Sequence, residues 1–334
     1  MKRTRFPRSQ SPEFDGETPS TPPTEDIPST STSETGVKTQ TPVEPPINKL
    51  FGLELDKVSD DLIQDIVRRQ IEHILAPTGL AEEYDIVIFY DEAGIGHSDA
   101  SRVYTALAAS DPDKPNLLVL NSTGGDIAAA YLIAKLCRDY TKKSFEVAVP
   151  RQAKSAATLI CCGADKIHMG SLSELGPIDP QFDGVPALAL KHSVEHIAQL
   201  VSDYPQAANM FSNYLSKSLK VESLGYYERV AESATQYAIR LLASRPKVES
   251  DNPSIAHRLV YHYKDHGFVI DSREAIEIFG SEVVACNTTE YDAANEMIRS
   301  LDLANWMCDS KLQRRLTYIG SVAGGCWVFP KRRR

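Results

Sequence analysis

Four short strand-like runs, separated by three stretches with helical patterning, restrict what this chain can become more than anything else in it. They are Asp85-Ile86-Val87-Ile88-Phe89-Tyr90, Leu117-Leu118-Val119-Leu120, Phe145-Glu146-Val147-Ala148-Val149 and Lys166-Ile167-His168-Met169. The first is too continuously apolar for a strand with one wet face and suits one buried on both sides, as in a parallel sheet. Between the runs lie a polar loop and helix over 98–109, an Ala-rich helix over 126–139 and a helix opening near Ser155. Strand–helix alternation with links this short gives right-handed βαβ units and a parallel sheet covered on both faces. The expected fold class is α/β.

The flanks divide the rest of the 334 residues. Residues 1–48 are rich in Pro, Ser, Thr and Glu and poor in aliphatic side chains. Such a segment cannot offset roughly 1–2 kcal/mol of backbone entropy per residue, so a disordered tail is expected. Within 49–80, a linker leads into an amphipathic helix over 58–75, with Leu62, Ile63, Ile66, Val67, Ile71 and Ile74 at helical spacing. The stretch 187–245 reads as a helical insertion into a domain spanning 81–290. Asp271 and Glu274 mark a helix start as N-cap and capping-box partner, a short strand over 282–285 closes the domain, and a helix over 288–312 follows. The final twenty residues, in the 291–334 segment of C-terminal helix and basic tail, carry no assignable element.

Charge and cysteine usage exclude several classes of function. A formal charge of −9 lacks the basic face that a dedicated nucleic-acid binder needs, and Lys331-Arg332-Arg333-Arg334 reads as a solvated end. The six cysteines show no C-x-x-C pair and no zinc-type spacing with histidine. Cys161-Cys162 lies in an apolar stretch, as buried free thiols in a reducing compartment would. No apolar stretch follows Met1-Lys2-Arg3, and none reaches the ~18–20 residues of a transmembrane segment. The expectation is a soluble, cytoplasmic protein.

Chemistry in such sheets gathers where strands end and helices begin. Asn121-Ser122-Thr123-Gly124-Gly125-Asp126 follows the second run and precedes a helix. Paired glycines there can turn backbone N–H groups outward, and the helix N-terminus adds partial positive charge, which suits an oxyanion or a phosphate. A tight turn explains the same glycines; a P-loop does not, because no Gly-Lys-Ser/Thr follows. Ala153-Lys154-Ser155-Ala156-Ala157 stands at the next strand-to-helix junction. Small neighbours would leave Ser155 Oγ approachable with the Ala156 N–H beside it, although an ordinary N-cap is the alternative. Adjacent parallel strands bring both loops to one cleft.

At these residues, together with Ser173-Glu174-Leu175-Gly176-Pro177-Ile178-Asp179-Pro180-Gln181, the chain resembles the Clp-protease/crotonase superfamily. The nearest branch is the signal-peptide-peptidase-like serine proteases, in particular the serine dehydrogenase proteinases. Gly267-Phe268-Val269-Ile270-Asp271-Ser272-Arg273-Glu274-Ala275 is similar to that superfamily's C-terminal strand and helix. The resemblance implies a layered parallel-sheet domain and a serine peptidase that acts on a peptide or protein substrate, without a cofactor, as a homo-oligomer. It implies Ser155 as nucleophile and the N–H groups of Gly124 or Gly125 and of Ala156 as the oxyanion hole. Clp proteases place a histidine near what is here 176–179, and none stands there. The signal-peptide-peptidase branch uses a later lysine, and Lys191, after apolar Val185-Pro186-Ala187-Leu188-Ala189-Leu190, is the first one available. With an ordinary pKa of about 10.4, it could accept a proton only if burial lowered that value.

Two other functions fit the same fold: a catalytically inactive scaffold, and a crotonase-type acyl-CoA enzyme whose oxyanion loops hold a thioester enolate. Lys154 adjoins Ser155 and so does not face it on a helix. His192 and His196 share a helix face without a third ligand and read as solvated, and no metal site is expected. His168 reads as core or sheet surface, the group His257, His262 and His266 as a helix face, and Asp179 as a pocket-shaping residue.

Overall fold

A computed structural model describes residues 44–53, 58–91, 93–179, 181–182, 185–218, 221–245 and 251–330. It opens with a 3-10 turn, Pro46–Gly52, and helices α1 (Asp60–Leu75) and α2 (Leu80–Glu83). There follow β1 (Asp85–Asp91), α3 (His97–Leu107), β2 (Asn116–Ser122), α4 (Ile127–Asp139), β3 (Phe145–Ala148) and β4 (Gln152–Ala153). Next come α5 (Ala156–Cys162), β5 (Lys166–Met169), β6 (Glu174–Leu175) and the hairpin β7 (Gln181–Phe182) and β8 (Val185–Pro186). Helices α6 (Ala187–Asp203), α7 (Ala208–Ser218) and α8 (Val221–Ala243) occupy the stretch 187–245, and α9 (Asn252–His257) leads into a π-helical turn, Arg258–His262. The chain closes with α10 (Ser272–Phe279), β9 (Val284–Cys286), α11 (Thr289–Leu312), β10 (Arg314–Ser321) and β11 (Cys326–Pro330).

The main sheet runs β11-β10-β1-β2-β3-β5-β9, with β4 and β6 continuing it beside β2. Pairings from β1 to β9 are parallel, as the apolar runs require. Side chains alternate between two cores, the period-2 consequence of strand geometry. Val87, Phe89, Leu118, Leu120, Phe145 and Val147 enter the core with α3, α4, α5 and α8. Ile86, Ile88, Tyr90, Leu117, Val119 and Ala148 enter the other, with α1 and α11. The layered α/β class is therefore observed.

Three details differ from expectation. The terminal residues without an assigned element are β10 and β11, which extend the sheet antiparallel from β1. Arg315 and Thr317 of β10 hold the buried Asp91 (2.7 and 3.3 Å), a polar seam that masks the strand's apolar pattern. At the other end, Ile47 and Leu50 are buried and the Ile47 N–H donates to Gln70 Oε1 at 3.1 Å. The packed unit thus begins at Glu44, before the expected boundary at 48. Asp271 caps α10 through the N–H groups of Arg273 and Glu274 (2.9 Å each), but Glu274 does not complete a capping box. Its carboxylate accepts from Tyr263 Oη (2.6 Å) and Arg258 (3.0 Å) instead.

Candidate active site

The carboxyl ends of β2 and β4 carry the two loops singled out by their sequence, and tertiary packing presses them together. Gly124 has φ 105° and Gly125 φ 144°, values that favour residues without a Cβ. A Cβ on Gly124 would lie 2.7 Å from both the Lys154 carbonyl and Ser155 Cβ, and 3.2 Å from the Ala156 nitrogen. Only glycine lets this backbone approach the serine so closely. A second clamp, invisible in the sequence, holds the loop from outside. Ile95 N–H donates to Gly124 O (2.7 Å) and Asp126 N–H donates to Ile95 O (2.8 Å). A Cβ on Gly125 would fall 2.4 Å from the Ile95 nitrogen.

Ser155 occupies the N-cap position of α5, but with φ 51° and ψ −119° and with no side-chain hydrogen bond into the helix. A cap normally takes extended backbone and spends its oxygen on the N2 or N3 amide. Here the serine is half-buried, on a positive-φ turn between strand and helix. Residues held in such conformations cost about 1–3 kcal/mol and gather at functional sites. Thr158 braces the turn beneath it, donating to Ala153 O (2.6 Å) or Gly176 O (2.7 Å) and accepting from the Gly176 N–H (3.1 Å).

The N–H groups near Ser155 are not equivalent. That of Gly124 donates to Ser122 Oγ at 3.1 Å, which commits it inside the loop. Ala156 is the first residue of α5, where a helix amide has no intrahelical acceptor. Lys154 Nζ reaches Glu174 Oε2 (3.0 Å), Leu175 O (3.3 Å) and Phe268 O (3.2 Å). Three acceptors match the three protons of an ammonium, so Lys154 pins β6 and residue 268 to the serine turn. Lys191 lies on α6; its side chain is outside the described residues. His192 and His196 are exposed, whereas His168 is 2% exposed. Asp179 is buried, and its Oδ2 faces His266 Nδ1 at 3.8 Å.

A cavity of about 450 Å³ opens beside the glycine loop, walled by Ser122, Thr123, Gln152, Leu172 and Glu174. A larger one, about 580 Å³, lies between α3 and β10, around Arg102 and Trp327, away from the two loops. The smaller cavity adjoins the glycine loop through Ser122 and Thr123 and extends to Tyr90, Asp91 and Asp302, without Ser155 or the paired glycines in its wall. None of the described helices is long and apolar enough to cross a membrane.

A serine on a strand-to-helix turn, backed by a glycine loop, thus stands at the carboxyl edge of a doubly covered parallel sheet. Residues 86–207 match the family of ClpP-like SDH-type serine proteinases. The match takes in both loops, β2 to β6 and α6. Two uncharacterized proteins of Methanocaldococcus jannaschii are also similar. One is 38% identical over 97 residues, 29% of this chain and 34% of the relative. The other is 30% identical over 105 residues, 31% of this chain and 36% of the relative. The chain thus spans about a third of the length of these relatives.

Proposed function

We propose that this domain is a serine peptidase that cleaves peptide bonds through Ser155, with Lys191 as the proton acceptor. Ser155 Oγ attacks the scissile carbonyl carbon as Lys191 Nζ takes the hydroxyl proton. The carbonyl oxygen becomes an oxyanion held by the N–H groups of Gly125 and Ala156, each donor worth roughly 3–4 kcal/mol in such sites. Gly124 supports the hole by close approach, since its own N–H is committed to Ser122. The proton passes to the leaving amine, and water attacks the acyl-enzyme with Lys191 again accepting a proton. Peptide or protein is the substrate, the cavity beside Thr123 and Leu172 receives part of it, and the enzyme works as a cytoplasmic homo-oligomer. The observation that carries this reading is the uncapped, positive-φ Ser155 packed on Gly124.

Hydrolysis of fluorescently labelled casein by the full chain, by Ser155→Ala and by Lys191→Arg tests it. Both variants should stay folded and lose activity, since a guanidinium keeps its proton and accepts no other. Turnover in folded Ser155→Ala removes the nucleophile, and turnover in folded Lys191→Arg removes the base. A wild-type chain that hydrolyses no peptide, yet folds, favours the scaffold function of the same fold.

A further inference from the structure

On the sheet face opposite α5, the fold assembles a polar cluster that the peptidase chemistry does not use. Glu146 of β3, His168 of β5 and Glu290 in the first turn of α11 each offer one donor atom, all within 4.8 Å of one another. His168 Nε2 lies 2.9 Å from Glu146 Oε2, and Nδ1 lies 3.5 Å from Glu290 Oε2. Tyr84 Oη reaches both carboxylates, Glu146 Oε2 at 3.2 Å and Glu290 Oε1 at 3.0 Å. Ser144 Oγ donates to the remaining Glu146 oxygen at 2.7 Å. Thr288 Oγ1, which caps α11 by accepting from the Tyr291 N–H, stands 2.9 Å from His168 Nδ1.

Two carboxylates meet one histidine in the cluster, and Lys166 acts on Glu146 only from beyond ion-pair distance. Glu146 and His168 are buried, and Glu290 is half-buried beside them. Among the described residues, no lysine or arginine forms an ion pair with either carboxylate. One imidazolium could neutralise only one of the two. Buried charges of this kind are paired or bound to a metal.

We propose that Glu146, His168 and Glu290 form a divalent transition-metal site of the Zn²⁺ type that ties β3 and β5 to the start of α11. One nitrogen and two carboxylate oxygens are the donors of such an ion, with open positions left for water. Ligands at about 2.0–2.1 Å in tetrahedral array stand about 3.3 Å apart, so Nε2 and Glu146 Oε2, at 2.9 Å, need to part by only a few tenths of an ångström, while the Glu290 carboxylate, whose donor atom lies within 4.8 Å of the other two, turns toward Nε2 to complete the set. Thr288 Oγ1 accepts Nδ1–H and so presents Nε2; the ion displaces the proton on Nε2, which leaves to solvent. Tyr84 and Ser144 orient the carboxylates as outer-shell donors. The site lies on the α11 face, away from Ser155, and its role is structural.

Isothermal titration of ZnCl2 into the full, EDTA-stripped chain, with thermal melts alongside, tests the site without reference to activity. The expected result is one Zn²⁺ per chain and a higher melting temperature on binding. Glu290→Gln should weaken binding at least tenfold, and Tyr84→Phe, which keeps every ligand, by about 10–100-fold. Co²⁺ in the unmodified chain should give the visible absorption of a four- or five-coordinate ion, a readout that needs no variant to fold. Absence of saturable Zn²⁺ binding in the unmodified chain overturns the proposal. So does unchanged affinity in both variants, which would move the ion elsewhere, as to the exposed His192/His196 pair on α6.

Discussion

Replacing Ser155 by glycine and by alanine separates a strained nucleophile from a helix cap. At φ 51° the serine carries a conformational cost of about 1–3 kcal/mol that glycine escapes. Glycine in turn gives up about 0.5–1 kcal/mol of extra backbone entropy on folding. The difference leaves Ser155→Gly about 0–2.5 kcal/mol more stable than the natural chain. At roughly 2–4 °C per kcal/mol for a domain of this size, that is a rise centred near 4 °C. Ser155→Ala retains the strain and loses no capping bond, so its stability should stay within about 0.5 kcal/mol of the starting value. An ordinary cap gives the reverse order, with alanine costing about 0.5–2 kcal/mol and glycine a few tenths. Thermal melts followed by circular dichroism, paired with casein hydrolysis, measure both properties. The reasoning fails if the alanine variant melts several degrees lower while glycine gives no gain, or if either variant keeps its activity.

Other consequences follow from neighbouring residues. Gly124→Ala forces a Cβ to 2.7 Å from Lys154 O and Ser155 Cβ at φ 105°, which should cost about 2–5 kcal/mol in a chemical denaturation and abolish turnover. Deleting residues 1–43 should leave the melting temperature unchanged. Deleting 1–52 removes buried Ile47 and Leu50, about 1.5–3 kcal/mol each, and should lower it by several degrees. Burial pushes the thiols of Cys137 and Cys162 up to about 12, so thiol labelling at pH 8 should modify exposed Cys286 first and leave those two unmodified in the native protein.

Much of this arrangement is legible in the chain because its strands are buried on both faces. Ile86 to Tyr90 and Leu117 to Leu120 feed two cores in alternation, which leaves few polar positions and makes a parallel sheet the natural reading. The strand β10 hides because it reads Arg314-Arg315-Leu316-Thr317-Tyr318, with charged and hydroxyl groups that only tertiary contact with Asp91 explains. The capping partner expected at Glu274 is drawn away by Tyr263 and Arg258, side chains whose approach no local pattern signals. At the candidate site, Ser155 and Gly124 stand out through loop chemistry alone, whereas the clamp from Ile95 depends on the β1–α3 loop folding onto theirs. The Glu146–His168 pair spans 22 positions and Thr288 stands 120 from His168, so their cluster exists only once β3, β5 and α11 have packed.

Labelling of the folded chain with a fluorophosphonate probe, followed by peptide mass spectrometry, tests the central claim most directly. An activated serine with an oxyanion hole reacts with such a probe, and a capping or structural serine does not. The account predicts a single adduct on Ser155, lost on heat unfolding and absent from the folded Gly124→Ala and Lys191→Arg variants. An unlabelled native chain, or an adduct confined to another residue, would contradict it.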